Sequence, residues 1–226
     1  MAGSDSLVAE HHTEGLCYSS SMPNSPREAL EAALRDPQMV DVSTIANVKV
    51  DLRYGSKQNL LGRDIYGGFQ RALLHKIAAG KFVIAARLLA ESRFDLKFLI
   101  FDSLRPHSAQ IEFWNLVKGT PQQPFFADPA TGSLHSYGFA IDLGLADSTG
   151  RELDMGTGFD DLTELAGPRS EDEFLASGKL SPLQVSNRKI LRAVMEGAGF
   201  LQLPHEWWHY DALPAAEVRA GYPRCE

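Results

Sequence analysis

At 226 residues, with 44% hydrophobic and 23% charged residues, the chain is long enough for one well-packed domain, and a two-domain split would leave each half small. A formal net charge of -7 opposes attraction to phosphate backbones or anionic lipid, which argues against nucleic acid and membrane partners and leaves a small zwitterionic substrate admissible. No stretch has signal-peptide character or the length to span a bilayer, so a cytoplasmic location is expected.

Residues 1–24 are polar and serine-rich, without periodicity, and read as a mobile N-terminal arm ahead of a domain over 25–226. Cys17 and Cys225 form neither a disulfide framework nor a C-x-x-C site; free thiols are the default, and one bridge is admissible in an oxidising compartment. Ser25-Pro-Arg-Glu28 carries a capping box with proline at the first helical position, predicting a short helix to about Arg35. Val48, Val50, Leu52 and Tyr54 alternate with charged residues, the pattern of a half-buried strand. A loop from Gly55 to Gly62 follows. Ala72 to Leu89 shows helical apolar spacing and reads as the main core helix, with His75 on its surface.

Leu96 to Phe101 is apolar on both faces, hence a central strand, and it delivers Asp102 and Arg105 to its end. Arg105 has a permanent charge and a planar donor fork, suited to an oxyanion developing on a carbonyl oxygen; the plainer reading is an ion pair with Asp102 that shapes the loop. Asp102 fixes the arginine in either case. Pro106 to Lys118 predicts a helix with Ile111, Trp114 and Leu116 or Val117 inward, followed by a loop to Gly132. The segment from Gly138 to Leu143 reads as a buried strand with His135 at its mouth and Asp142 on it. Ser133, two residues ahead of His135, is either a donor to a substrate carboxylate or a plain turn serine. Ala146 to Leu153 forms a hairpin, and residues 155–160 are expected to wall a pocket. Residues 161–185 read as a surface insertion or lid, and a helix begins at Ser186. After Leu213 the tail is expected to be loosely packed.

His135, Asp142 and His209 are the candidate metal ligands; taken singly, each histidine also reads as an ordinary hydrogen-bonded one. Zinc takes nitrogen or anionic oxygen donors in a tetrahedron, and a catalytic site keeps one position for water; two histidines and one carboxylate fill the other three. An unpaired Asp142 inside an apolar strand is otherwise costly. Glu206, three positions before His209, is placed to take a proton from water and return it to a leaving group. Residues three apart on a regular strand face opposite ways, so a bend or bulge at Trp207 and Trp208 is expected to bring both side chains to the metal.

The run Ser133-Leu-His135-Ser-Tyr-Gly-Phe-Ala-Ile-Asp142 resembles the S-x-H-x-x-G-x-A-x-D signature of VanX-type D-alanyl-D-alanine dipeptidases, and Glu206-Trp-Trp-His209 is similar to their E-x-W-H signature. Tyr54 with Asn59 and Gly62, Asp102-Ser-Leu-Arg105-Pro106, and Asp154-Met-Gly156 with Phe159-Asp160 extend the resemblance in order from about Val48 to Tyr210. It implies zinc on His135, Asp142 and His209, Glu206 as general base, Arg105 as transition-state stabiliser, and D-Ala-D-Ala dipeptide as substrate. By the same resemblance Tyr54 and Asn59 contact substrate or hold their loop. A peptidoglycan-trimming carboxypeptidase or endopeptidase, or a non-catalytic zinc module, could share the scaffold. The fold expected is α+β, hedgehog/DD-peptidase-like: a single domain with a central, mostly antiparallel sheet, helices packed on one side, and the metal in a cleft across its strands.

Overall fold

The computed structural model describes residues 25–123 and 126–226, so the expected arm over 1–24, with Cys17, lies outside the described residues. The chain runs α1 (Pro26–Ala33), β1 (Met39–Asp41), β2 (Val48–Val50), β3 (Leu73–His75), α2 (Lys76–Ser92), β4 (Leu96–Asp102), α3 (His107–Val117), β5 (Ala140–Asp147), α4 (Glu171–Ala176), α5 (Pro182–Gly197), β6 (Leu201–Gln202), β7 (His209–Asp211) and α6 (Ala215–Gly221). Five strands form one sheet in the order β2-β4-β5-β7-β6. Only the β2–β4 junction is parallel. This is the expected α+β domain with a mostly antiparallel sheet.

The long inner strands β4 and β5 are apolar on both faces because both faces are covered. Phe98 pairs with Leu145 across the sheet, and its ring meets Phe82 of α2 at 5.2 Å between centroids. Helix α5 packs against α2. Burying one such side chain stabilises the fold by roughly 1.5–3 kcal/mol. The opposite face carries Phe101, whose ring lies over Gly144: a Cβ there would sit 3.0 Å from Phe101 Cζ. Helix α3 sits beyond the end of β4, where Phe113 stacks on Tyr54 at 4.3 Å.

A register slip decides which face the end of β4 serves. Ile100 pairs with Leu143, but the next pair is Asp102 with Asp142, so the strand is irregular between Ile100 and Asp102. With regular alternation Asp102 would share a face with Phe98 and Ile100. The extra residue turns it instead to the face of Asp142.

Several boundaries differ from the sequence reading. The core helix begins at Lys76 and not Ala72, because Leu73–His75 pairs antiparallel with Met39–Asp41, a non-local contact that overrides local helical spacing. His75 is accordingly not a surface residue. It is 5% exposed, stacks on Phe139 at 4.5 Å, and its Nδ1 accepts from the Ile77 N–H at 3.3 Å as a helix cap. Helix α3 turns Ala109, Gln110, Phe113 and Val117 inward, leaving Ile111 and Leu116 exposed. Its buried stripe follows the i, i+4 positions from Ala109. The strand at Val48 stops at Val50, and Arg53–Gly55 makes a 3-10 turn.

Helix α5 begins at Pro182, not Ser186, with a capping box between Ser181 and Gln184. The segment before it holds α4, and Phe174, Leu180 and Val185 form a small cluster of their own. The tail is packed: α6 buries Val218. Beyond it the Cys225 N–H donates to the Ser136 carbonyl at 2.7 Å, and the Cys225 carbonyl accepts from the His107 N–H at 2.8 Å. Among the described residues no helix is long and apolar enough to cross a membrane.

Candidate active site

The sheet lays three polar side chains in one row. Asp142 on β5 is the register partner of Asp102 on one side and of His209 on the other. Directly opposed residues share a face, so the row is a consequence of pairing. The expected bend before His209 is present: Trp207 and Trp208 lie in a turn, and β7 starts at His209. That turn lets Glu206 approach the same side, with Oε2 3.8 Å from His209 Nδ1.

His135 comes from a 3-10 turn, Leu134–Tyr137, capped by Ser133, whose Oγ accepts from the His135 N–H at 3.4 Å. Gly138 closes the turn at φ 72. A side chain there would be strained and would also meet the His75 nitrogen at 2.8 Å.

The three groups converge. His135 Nε2 lies 3.2 Å from Asp142 Oδ2 and 3.2 Å from His209 Nδ1, while His209 Nδ1 lies 2.9 Å from Asp142 Oδ1. The far nitrogen of each ring has an acceptor of its own: His135 Nδ1 meets the Ser103 carbonyl at 2.7 Å, and His209 Nε2 meets Asp211 Oδ1 at 3.0 Å. Protons held on those outer nitrogens leave two bare nitrogens and a carboxylate pointing at one spot. Such a cluster repels itself unless a cation stands among its donors, so it could hold a metal ion. Without one, a proton serves. The flanking carboxylates of Asp211 and Asp142 hold the His209 imidazole well above its usual range against the opposing effect of burial. Burial pushes Asp142 upward, but the two imidazoles outweigh it and keep its carboxyl below the ordinary carboxylate range.

Behind the row, Asp102 anchors Arg105. Its Oδ2 accepts from Arg105 Nε at 2.9 Å and Nη2 at 2.7 Å, and its Oδ1 accepts from the Tyr66 hydroxyl and the Ser103 N–H, both at 2.9 Å. Gln110 accepts from Arg105 Nη1 at 3.1 Å. The guanidinium also lies over the rings of Phe113 and Tyr54, at 4.8 and 5.3 Å. Nη2 stands 3.8 Å from Asp142 Oδ2, facing the cluster.

A cavity of about 270 Å³ opens onto this row, with Arg105, Ser133, His135, Asp142, Glu206 and His209 in its wall. Tyr54 and Asp160 also line it, joined by a hydrogen bond from the Tyr54 hydroxyl to Asp160 Oδ2 at 2.7 Å. Asp160 sits at φ 60, uncommon for a residue other than glycine. Burial pushes its carboxyl up to about 8, with the Tyr54 hydroxyl pulling the other way. Burial also raises Glu206, partly offset by His209.

Of the residues singled out in the sequence, Asp102 lies behind the wall rather than in it. Asn59 does not line the cavity. Its amide nitrogen lies 2.7–2.9 Å from the carbonyls of Arg53, Ser56 and Arg63, and its Oδ1 accepts from the Leu61 N–H, so it holds the loop together. The sequence reading missed Asp211, although it stands two residues past His209 and hence on the same strand face. It also missed Tyr66, Gln110 and Arg219, the last also in the cavity wall, for which only tertiary placement gives a signal.

Residues 35–225 match the model of the peptidase M15 family, described as D-ala-D-ala dipeptidase. The chain is similar to a D-alanyl-D-alanine dipeptidase of Escherichia coli (strain K12), 35% identical over 190 residues that cover 82% of this chain and 88% of the relative. It is also similar to a D-alanyl-D-alanine dipeptidase of Enterococcus faecium, 29% identical over 182 residues covering 74% and 86%. A third, from Synechocystis sp. (strain ATCC 27184 / PCC 6803 / Kazusa), is 36% identical over 103 residues, 42% of each chain.

Proposed function

The chain belongs to the D-ala-D-ala dipeptidase family of M15 metallopeptidases, and from that premise we propose that it hydrolyses D-Ala-D-Ala to two D-alanines with one zinc ion held by His135, Asp142 and His209. The observation that carries the reading is the convergence of two inner imidazole nitrogens and one carboxylate, 2.9–3.2 Å apart, with each outer ring nitrogen beside an acceptor. Two imidazoles and a carboxylate suit zinc, with a coordination position to spare. Bound there, zinc supplies a Lewis acid for the scissile carbonyl and lowers the pKa of water to roughly 7.

The chain's own residues do the rest. Glu206 removes a proton from the attacking water and delivers it to the departing amine. Its burial supports this role, since a raised carboxyl takes up the proton of water more readily than a solvated one. Arg105, held by Asp102 and Gln110, turns Nη2 toward the reacting carbonyl and stabilises the negative charge that builds on its oxygen. Because the guanidinium is already oriented, little reorganisation is needed as the charge forms. Asp160 meets the substrate ammonium: a carboxyl raised by burial recovers its charge when a cation docks against it. The Ser133 hydroxyl donates to the substrate carboxylate.

The test is release of free D-alanine from D-Ala-D-Ala by the purified protein, with and without a chelator. Release that the chelator abolishes and added zinc restores is expected; release indifferent to the chelator would overturn the reading. An amine-blocked analogue should be a poor substrate, whereas a peptidoglycan carboxypeptidase or endopeptidase would accept it.

A further inference from the structure

The cavity wall carries two guanidinium groups, Arg105 and Arg219, and four carboxylates, Asp142, Asp160, Glu206 and Asp211. Arg105 is committed to Asp102 and Gln110. Arg219, on α6, has a different situation. Its Nη2 donates to the Gly132 carbonyl at 3.0 Å, and it makes no ion pair among the described residues. Arg219 is an exposed residue of the cavity wall, and that single neutral contact ties its guanidinium to the Gly132 carbonyl. Gly132 directly precedes Ser133, whose Oγ accepts from the His135 N–H and so keeps its own proton to donate.

A dipeptide brings one carboxylate into a wall that already holds four. Asp102 already occupies Arg105, so Arg219, which has no acidic partner among the described residues, offers the planar donor fork that matches a carboxylate. We propose that Arg219 is a specificity-determining residue that binds the terminal carboxylate of the substrate, with the Ser133 hydroxyl beside it, and so restricts the enzyme to peptides with a free C-terminus. This rests on the dipeptidase reading above. Among the described residues Arg219 makes no hydrogen bond or ion pair with His135, Asp142 or His209, so its loss acts on binding and not on the chemical step.

The experiment compares D-Ala-D-Ala with its C-terminal amide in the zinc-loaded wild-type protein, in Arg219→Met and in Arg219→Lys. The wild type is expected to favour the acid. Arg219→Met should raise KM for the acid by about tenfold or more, the scale of a charge-assisted hydrogen bond, with kcat unchanged and the amide unaffected. Arg219→Lys should keep part of the preference for the acid, because the charge remains. An acid-to-amide ratio in Arg219→Met equal to that of the wild type would overturn the assignment while leaving the dipeptidase reading intact. Absence of D-alanine release by the wild type would overturn both.

Discussion

Arg105 grips a single oxygen of Asp102 with two of its nitrogens, at 2.9 and 2.7 Å, inside a buried site. Removing the carboxylate leaves an uncompensated buried charge, which typically costs about 3–5 kcal/mol. Asp102→Ala is therefore expected to lower stability by that order in denaturant unfolding. Asp102→Asn, which keeps the shape, should spare more stability and still reduce kcat more than it raises KM, because Arg105 is assigned to the transition state. Wild-type kcat in Asp102→Asn would show that the pair only shapes the loop.

Glu206 lies beside the cluster without being one of its three closest donors. Glu206→Gln should retain zinc at the wild-type stoichiometry while kcat falls about 10²- to 10⁴-fold, the usual contribution of a general base. Burial raises the Glu206 carboxyl, so in the metal-free protein it should titrate above the ordinary glutamate value. Metal content by atomic absorption, together with steady-state rates, decides the matter: a metal-loaded variant with undiminished turnover removes Glu206 from the mechanism.

In the proposed site a proton and a metal would compete for the same nitrogen of His209, whose neighbours hold the imidazole well above the ordinary 6.5. Zinc uptake at neutral pH should therefore expel a proton, and affinity should weaken as pH falls. In the metal-free protein the protonated ring contributes stability that is fully present below pH 6.5 and is lost as pH rises through the elevated folded value. Calorimetric titration in buffers of different ionisation enthalpy counts the released proton, and a zinc-binding heat that does not vary with the buffer would contradict this. His135→Ala should lose the metal outright.

Asp160, pushed up to about 8 by burial, is largely protonated at pH 6. The empty pocket therefore meets the substrate ammonium with a neutral acid at that pH. KM for D-Ala-D-Ala should fall as pH rises from 6 toward 8, then climb again as the substrate amine, with a pKa of about 7.7–8.0, loses its proton. Asp160→Asn should raise KM and flatten that profile. If Asp160→Asn keeps the wild-type KM at pH 8, the ammonium is bound elsewhere.

His135, Asp142 and His209 were legible because a carboxylate in an apolar strand and a histidine at its mouth are local anomalies, visible without a fold. The turn at Trp207 and Trp208 follows from the spacing once Glu206 and His209 are read as serving one site. What escaped depended on distant pairing. The local pattern puts His75 on a helix surface, and only the β1–β3 ladder turns it into a buried cap. Asp102 reaches the site face through a register slip that no residue type announces. The Ser103 carbonyl that orients His135 is a backbone atom and leaves no trace in side-chain identity. Arg219 stands on α6, in a tail whose polar composition reads as loose and whose packing comes from Val218.

The short backbone link from Cys225 to Ser136 and His107 makes the segment after α6 a latch on the turn that carries His135. A cut between α6 and Cys225 would release the Ser136 carbonyl and the first turn of α3 together. His135 would then lose its placement while the sheet stayed folded.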